Sequence, residues 1–221
     1  MRKQLTNSTW LRKKKLDLHL SSIQKAVLIG TLLGDGYLRL SRSGQSARLQ
    51  ICHPQSAKEY LFWLRDIFSD FVFAKPDYQI SNHALRFTTV SHPDFLTFYN
   101  SFYQDGIKKV PDNINDLLSD PFSLAIWFMD DGNGYLKSSA YRISTYAFGL
   151  EGNQILASSL KNNFDLKVNL VKDSKGYQLY IPIKGDNASR FYNLVDPFII
   201  PSMRYKLEHR SPVETHIVGT G

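Results

Sequence analysis

Residues 28–40 read LIGTLLGDGYLRL, an apolar run that stops at an acid between two glycines and gives way to alternating basic and apolar side chains. Taken alone, Gly34-Asp35-Gly36 is a helix end, since glycine accepts the left-handed conformation that closes many helices and aspartate is common in turns. A second copy changes that reading. Residues 124–136 read LAIWFMDDGNGYL, again an apolar run closed by acid and glycine and followed by Tyr-Leu, so Asp131 matches Asp35 and Gly132 matches Gly36. The likeness continues downstream. Phe98-Tyr99-Asn100 recurs as Phe191-Tyr192-Asn193, and each is followed by a proline-containing basic segment, IKKVP at 107–111 and IPSMRYKL at 200–207. Self-similarity on this scale means two copies of one unit.

The 221 residues are 43% hydrophobic and 13% aromatic, enough for one large core or two small ones. No stretch approaches the run of roughly 18 apolar residues that a membrane span needs, so a soluble chain with no membrane partner is expected. Cys52 is the only cysteine, which excludes an intrachain disulfide and a cysteine-rich zinc site. It points to a reducing compartment, an organelle or a prokaryotic cytoplasm, rather than secretion. The net charge of +7 calls for an anionic partner. Arg2, Lys3 and Arg12 to Lys15 all precede the first acid, Asp17. A basic arm lying against phosphates and an acid-poor mitochondrial targeting segment both fit that pattern.

Ser21 or Ser22 can cap a helix running to about Gly34, and Tyr37–Ser41 and Ala47–Cys52 alternate as a strand pair around Ser43-Gly44. After Pro54 a helix carries Tyr60, Leu61, Leu64 and Phe68 on one side; a hairpin turning near Asn82 and a helix from Pro93 to about Tyr103 follow. The second half repeats the order: helix 121–131, strands near 134–138 and 141–147, helix 151–164, strands 166–172 and 177–183, helix 186–195. The expected fold class is α+β, a duplication of α-β-β-α-β-β-α units with two four-stranded antiparallel sheets, each with helices on one face only. The divisions expected are a basic arm (1–20), two repeats (21–118 and 119–210) and a tail (211–221).

The period of two predicts which side chains occupy the uncovered faces. In the first hairpin Leu38, Leu40, Leu49 and Ile51 point inward and Tyr37, Arg39, Arg48 and Gln50 outward. The next hairpin is less regular, and only Arg86 and Thr88 are read as outward. In the second half Leu136, Ile143, Leu166, Val168, Leu170, Leu179 and Ile181 face in, leaving Lys137, Arg142, Ser144, Tyr146, Lys167, Asn169, Gln178 and Tyr180 outward. An ordinary solvated face mixes charge signs, whereas this set is basic and polar with no acid. Such side chains hold phosphates and read base edges.

If the two apolar runs are equivalent helices, they can pack side by side and bring Asp35 and Asp131 together, with Gly30 and Gly34 as the smooth face that permits close approach. Paired carboxylates without a cysteine or histidine cluster favour hard divalent ions such as Mg²⁺. Beneath a basic sheet, that combination is a phosphodiester-hydrolysis site. His53, His83 and His92 lack the spacing of a metal pair and are assigned no catalytic role.

These residues resemble the LAGLIDADG homing endonucleases. LIGTLLGDG at 28–36 and LAIWFMDDG at 124–132 match the family's two signature motifs, and the resemblance runs from about Ser22 to Leu207 through the FYN segments, KKVP and IPSMRYKL. It implies a single-chain monomer whose saddle-shaped sheets straddle double-stranded DNA, cutting both strands of a long asymmetric site with Mg²⁺, for which Mn²⁺ can substitute. By motif position it implies Asp35 and Asp131 as metal ligands, with the backbone carbonyls of Gly34 and Asp130 nearby. Lys108 and Lys206 match the basic residues at the rim of the sites, and Lys109 rivals Lys108. The family also contains RNA maturases, so an intron RNA is the alternative partner. A DNA-binding regulator without catalysis would have no use for the two acids. The second motif departs from the first, with Ile126 where the first has Gly30 and Asp130 where it has Gly34, so the helix pair cannot be symmetric.

Overall fold

The computed structural model describes residues 17–79, 83–135 and 140–207. Most of the basic arm, the turn at Asn82, Leu136 with Lys137, and the tail lie outside the described residues.

Helix α1 (Ser22–Leu33) begins where the sequence provides a reciprocal cap. The Ser21 hydroxyl accepts from the Gln24 N–H at 3.2 Å, and the Gln24 side chain accepts from the Ser21 N–H at 3.0 Å, satisfying two donors that the first turn leaves open. Strands β1 (Tyr37–Leu40) and β2 (Ala47–Pro54), helix α2 (Lys58–Ile67), strands β3 (Asp77–Gln79) and β4 (Ala84–Thr88) and helix α3 (Pro93–Phe102) complete the first unit. A small hairpin, β5 (Tyr103–Gln104) and β6 (Ile107–Lys108), and a single turn, α4 (Ile114–Leu117), lead to helix α5 (Pro121–Asp131). Asp120 caps α5, accepting from the Phe122 N–H at 2.9 Å, and Pro121 occupies the first turn, where its missing N–H costs nothing. Strands β7 (Gly132–Tyr135) and β8 (Ala140–Ile143), helix α6 (Gly149–Phe164), strands β9 (Asn169–Asp173) and β10 (Gly176–Ile181) and helix α7 (Asn187–Val195) repeat the order, and a 3₁₀ segment over Pro201–Lys206 follows.

The two four-stranded sheets are antiparallel and have the same topology, β1-β2-β4-β3 and β7-β8-β10-β9. Helices cover one face of each, and α1 and α5 pack against each other between the two halves. Inward positions Leu38, Leu49, Ile51, Phe87, Ile143, Leu179 and Ile181 are buried, along with Trp127 and Phe128 of α5. The register sets Leu85 opposite His53 and Phe87 opposite Ile51, so both Leu85 and Phe87 lie on the inner side.

Four local expectations are corrected. Leu40, at the end of β1, is 39% exposed, because an end position has no helix above it. Tyr146 is not in a strand: β8 stops at Ile143, the Ser144 N–H turns to the Asp131 carbonyl at 3.0 Å, and Tyr146 opens a 3₁₀ turn. Ser144 therefore lies just beyond the strand. Lys167 precedes β9, since its N–H is taken by the Asn187 side chain at 2.9 Å and that of Leu166 by the Leu160 carbonyl at 3.2 Å. Backbone donors committed to helix ends cannot also serve a ladder.

Candidate nuclease site and nucleic-acid face

The contact between α1 and α5 explains the departures in the second motif. A Cβ placed on Gly30 would lie 2.5 Å from the Ser123 carbonyl oxygen and 2.6 Å from the Ile126 Cβ; one on Gly34 would lie 2.5 Å from the Asp130 Cβ. Ile126 and Asp130 are the knobs that fill the hollows left by the two glycines. This close approach brings the C-terminal ends of both helices, and with them Asp35 and Asp131, to one place. The helix dipoles there disfavour negative charge. Burial and the neighbouring Asp35 carboxylate push the Asp131 carboxyl up to about 7, with Lys206 and Lys108 opposing that rise. A buried carboxyl placed beside a second acid in this way is relieved by a cation.

Two lysines reach the same place, one from each half. Lys108 Nζ donates to the carbonyls of Gly34 at 2.9 Å and Gly36 at 2.7 Å. Lys206 Nζ donates to the Asp130 carbonyl at 2.7 Å and to that of Met129. Burial lowers the pKa of both ammonium groups while Asp35, Asp130 and Asp131 act to raise it. The β5–β6 hairpin points Lys108 inward, whereas Lys109 Nζ lies 3.5 Å from Asp112. Gly34 and Asp130, expected beside a metal through their carbonyls, thus already accept from lysines; a carbonyl has a second lone pair for a cation.

Sequence reasoning missed His53 and Tyr60. His53, only 5% exposed, lies with Nδ1 3.5 Å from Asp35 Oδ2 and Nε2 3.6 Å from Asp130 Oδ1. Burial lowers its pKa, Asp35 opposes this, and Lys206 adds to it. Tyr60 donates to Asp130 Oδ1 at 2.8 Å, and the other Asp130 oxygen accepts from the Asp35 N–H at 3.1 Å. Burial and the Asp35 charge push the Asp130 carboxyl well up. Burial and Asp130 do the same to the Tyr60 hydroxyl, which therefore stays a donor. Among the described residues, Asp35, His53 and Asp130 each offer a ligand-type atom within 4.8 Å of the others. The available signal was the period of two, which places His53 on the inner face with Ile51. His92 instead caps α3, accepting from the Asp94 N–H at 3.2 Å.

On the outer faces, Arg39 stands directly opposite Arg48 and Tyr37 opposite Gln50. Like charges facing one another across strands repel, so this pair favours a polyanion. Gln50 donates to Thr88 at 3.3 Å, and Arg142 and Asn169 are both paired with Tyr180. The expectation of an acid-free face is corrected: Asp77 lies opposite Arg86 and ion-pairs with it at 2.6 Å. Asp173, near the second sheet's hairpin, accepts from Tyr146 at 2.8 Å and Gln178 at 3.0 Å. Gln178, predicted open, is 4% exposed, because it sits on a central strand with its amide turned onto Asp173. No described helix is long and apolar enough to cross a membrane.

Residues 25–191 match the LAGLIDADG DNA endonuclease family. The chain is 33% identical over 210 residues to the probable intron-encoded endonuclease 1 of Wickerhamomyces canadensis, covering 88% of this chain and 87% of that one. It is 24% identical over 225 residues to the cytochrome b mRNA maturase bI2 of Saccharomyces cerevisiae, covering 93% of this chain and 52% of the relative. Among solved structures, the homing endonuclease I-WcaI bound to its DNA recognition sequence superposes with a TM-score of 0.82 at 27% identity, covering 95% and 97% of the two chains.

Proposed function

The chain belongs to the LAGLIDADG DNA endonuclease family, and on that premise we propose that it is a homing endonuclease that cuts both strands of a long, asymmetric DNA site with the help of divalent metal. The observation that carries this reading is the meeting of Asp35 and Asp131 at the ends of two tightly packed helices, with Lys108 and Lys206 beside them. Residues 21–118 and 119–210 are the two repeats, each serving one half of the target.

Asp35 and Asp131 would hold the metal, Mg²⁺ or in its place Mn²⁺, with the Gly34 and Asp130 carbonyls at its edge. The fit rests on the donor set, all hard oxygen atoms, and on the burial and neighbouring Asp35 charge that raise the Asp131 carboxyl. A divalent cation bound there supplies a more acidic water and a positive charge beside the scissile phosphate and its leaving 3′ oxygen. Lys108 and Lys206 add fixed positive charge near the developing negative charge of the phosphorane. Tyr37, Arg39, Arg48, Gln50, Arg86 and Thr88 contact one half-site. Lys137, Arg142, Ser144, Tyr146, Lys167, Asn169 and Tyr180 serve the other, while Gln178 is held beneath them by its hydrogen bond to Asp173.

The test is cleavage of a plasmid carrying the joined sequences that flank the gene's own insertion point. Two sheets of about 30 Å along the diagonal, placed end to end, span about 60 Å, which corresponds to roughly 18 base pairs. The footprint should have that length, with the cut near its centre. Because the facing side chains differ between halves, the best substrate should not be a palindrome. A footprint under about 10 base pairs, or a palindromic optimum, contradicts the two-sheet reading.

Binding and chemistry should separate by position. Arg39→Ala is expected to weaken DNA binding at any sequence and to lower the slope of log affinity against log salt by about one. Lys206→Met should slow cleavage by about 10²-fold while leaving binding nearly unchanged. If Lys206→Met instead altered only the salt slope, its side chain would be a phosphate contact.

A further inference from the structure

The two acids, alike in sequence, are held by different means. Asp131 is the last residue of α5 and is fixed by the helix itself. Helix α1 ends at Leu33, so Asp35 lies past the helix in a turn, where Gly34 is the C-cap and the Gly36 N–H reaches back to the Thr31 carbonyl at 2.7 Å. A carboxylate in a turn needs another hold. The Asp35 N–H is taken by Asp130 Oδ2 at 3.1 Å, Asp130 is anchored from the far side by the Tyr60 hydroxyl at 2.8 Å, and His53 Nδ1 lies 3.5 Å from the Asp35 carboxylate. The His53 and Tyr60 rings lie 5.0 Å apart, and Tyr60 stacks on Trp63 at 6.0 Å, so the hydroxyl is delivered from a rigid aromatic layer.

Among the described residues, the second half has no matching device. The residue matching Asp130 is Gly34, which has no side chain. Counting along the hairpins, Leu38 pairs with Leu49 and Gly134 with Tyr141, so the position matching His53 is Thr145. Thr145 is bonded to Asn153, whose amide returns to the Thr145 carbonyl at 3.1 Å and the Gly149 carbonyl at 2.6 Å, a closed set. The first turn of α6, Gly149 to Gly152, carries no tyrosine. Among the described residues, no side chain donates a hydrogen bond to the Asp131 carboxylate. The orphaned His53 Nε2, buried without a hydrogen bond, belongs to the first half alone.

We propose that Tyr60, Asp130 and His53 form a brace that positions Asp35, that Asp131 has no counterpart to it among the described residues, and that cleavage of one DNA strand therefore depends on the brace while cleavage of the other does not. This rests on the endonuclease reading above. Tyr60 and His53 are positioning residues, acting through Asp35 rather than on DNA.

The experiment uses the full chain with a linear duplex bearing the flanking target, each strand carrying its own end label so that the two cleavage rates are read separately, and with a supercoiled plasmid bearing the same target. Tyr60→Phe keeps the ring and removes the hydroxyl. It should slow one strand about tenfold or more and leave the other within about twofold, so that nicked circles accumulate. His53→Ala should slow the same strand, and His53→Gln, which keeps a polar side chain beside Asp35, should restore most of the rate. Thr145→Val, at the matching position, should not produce that bias. Amide hydrogen exchange gives a readout independent of cleavage: the Asp35 amide should lose about tenfold protection in Tyr60→Phe while the Asp131 amide does not change. Equal slowing of both strands, or unchanged exchange at Asp35, would overturn the brace. A wild-type protein that cuts no DNA would sink the endonuclease reading and leave the Asp35 amide to decide the brace.

Discussion

Asp35→Asn and Asp131→Asn are each expected to lower double-strand cleavage in Mg²⁺ by at least about 10²-fold, with DNA affinity within about threefold of wild type. Asparagine keeps the size and planarity of the side chain but is neutral, so it loses the anionic oxygen that a hard cation requires. The acids precede β1 and β7 and are not among the outward sheet side chains assigned to binding, so binding is spared. Stability should move the other way. The Asp131 carboxyl is pushed up to about 7 by burial and by Asp35, so its ionised form is disfavoured at neutral pH in the metal-free protein. Replacing it by a neutral group removes that cost, and the metal-free Asp131→Asn variant should melt at or above the wild-type temperature. Thermal melts with and without Mg²⁺, run beside linearisation assays, check both effects. Wild-type linearisation by either variant would mean that the metal is held elsewhere.

The second large effect is on the helix contact. Gly30→Ala puts a Cβ 2.5 Å from the backbone oxygen of Ser123 and 2.6 Å from the Ile126 Cβ, closer than real atoms pack. The overpacking should cost about 1–3 kcal/mol, which for a chain of this size lowers the melting temperature by roughly 2 to 12 °C. Ile126→Ala in the same chain should recover only a small part of this, because it removes the Ile126 Cγ2 contact at 2.8 Å but leaves the Ile126 Cβ and the Ser123 backbone oxygen in place. Cleavage should fall further than stability predicts, since separating α1 from α5 also separates the two acids, and an error of about 1 Å at reacting groups can cost 10² in rate. Gly44, with φ +71 and nothing within 4 Å of an added Cβ, is the contrasting site. Alanine there meets only the conformational cost, about 1 kcal/mol, and should leave the cleavage rate of the folded protein unchanged. If Gly30→Ala proved as mild as Gly44→Ala, the close contact between α1 and α5 would be wrong.

The local signals in this chain are strong, and what they govern could be read directly. The Ser21–Gln24 cap, Pro121 in the first turn of α5, the glycines after each apolar run and the period of two in β1, β2, β8 and β10 act over a few residues, so the element order follows from them, whereas the strand order within each sheet is set by pairing between distant strands. The repeat of LIGTLLGDG in LAIWFMDDG was enough to pair Asp35 with Asp131, because matching positions in a duplicated unit meet at its pseudo-twofold axis. Strand ends were less legible. Tyr146 and Lys167 fall outside strands because backbone donors beside them go to a carbonyl and a side chain distant in sequence.

Only the tertiary structure could decide how the acids are supported. Tyr60 and Asp130 are 70 residues apart, and no periodicity records that one donates to the other. The choice of Lys108 over Lys109 beside the acids depends on which way a two-residue strand faces. The acids on the outer face, Asp77 and Asp173, were hidden because each lies in a short strand whose register only pairing reveals. A motif carries the chemistry that must recur in both halves, whereas the differences between the halves arise from side chains that meet by packing, and packing is settled in three dimensions.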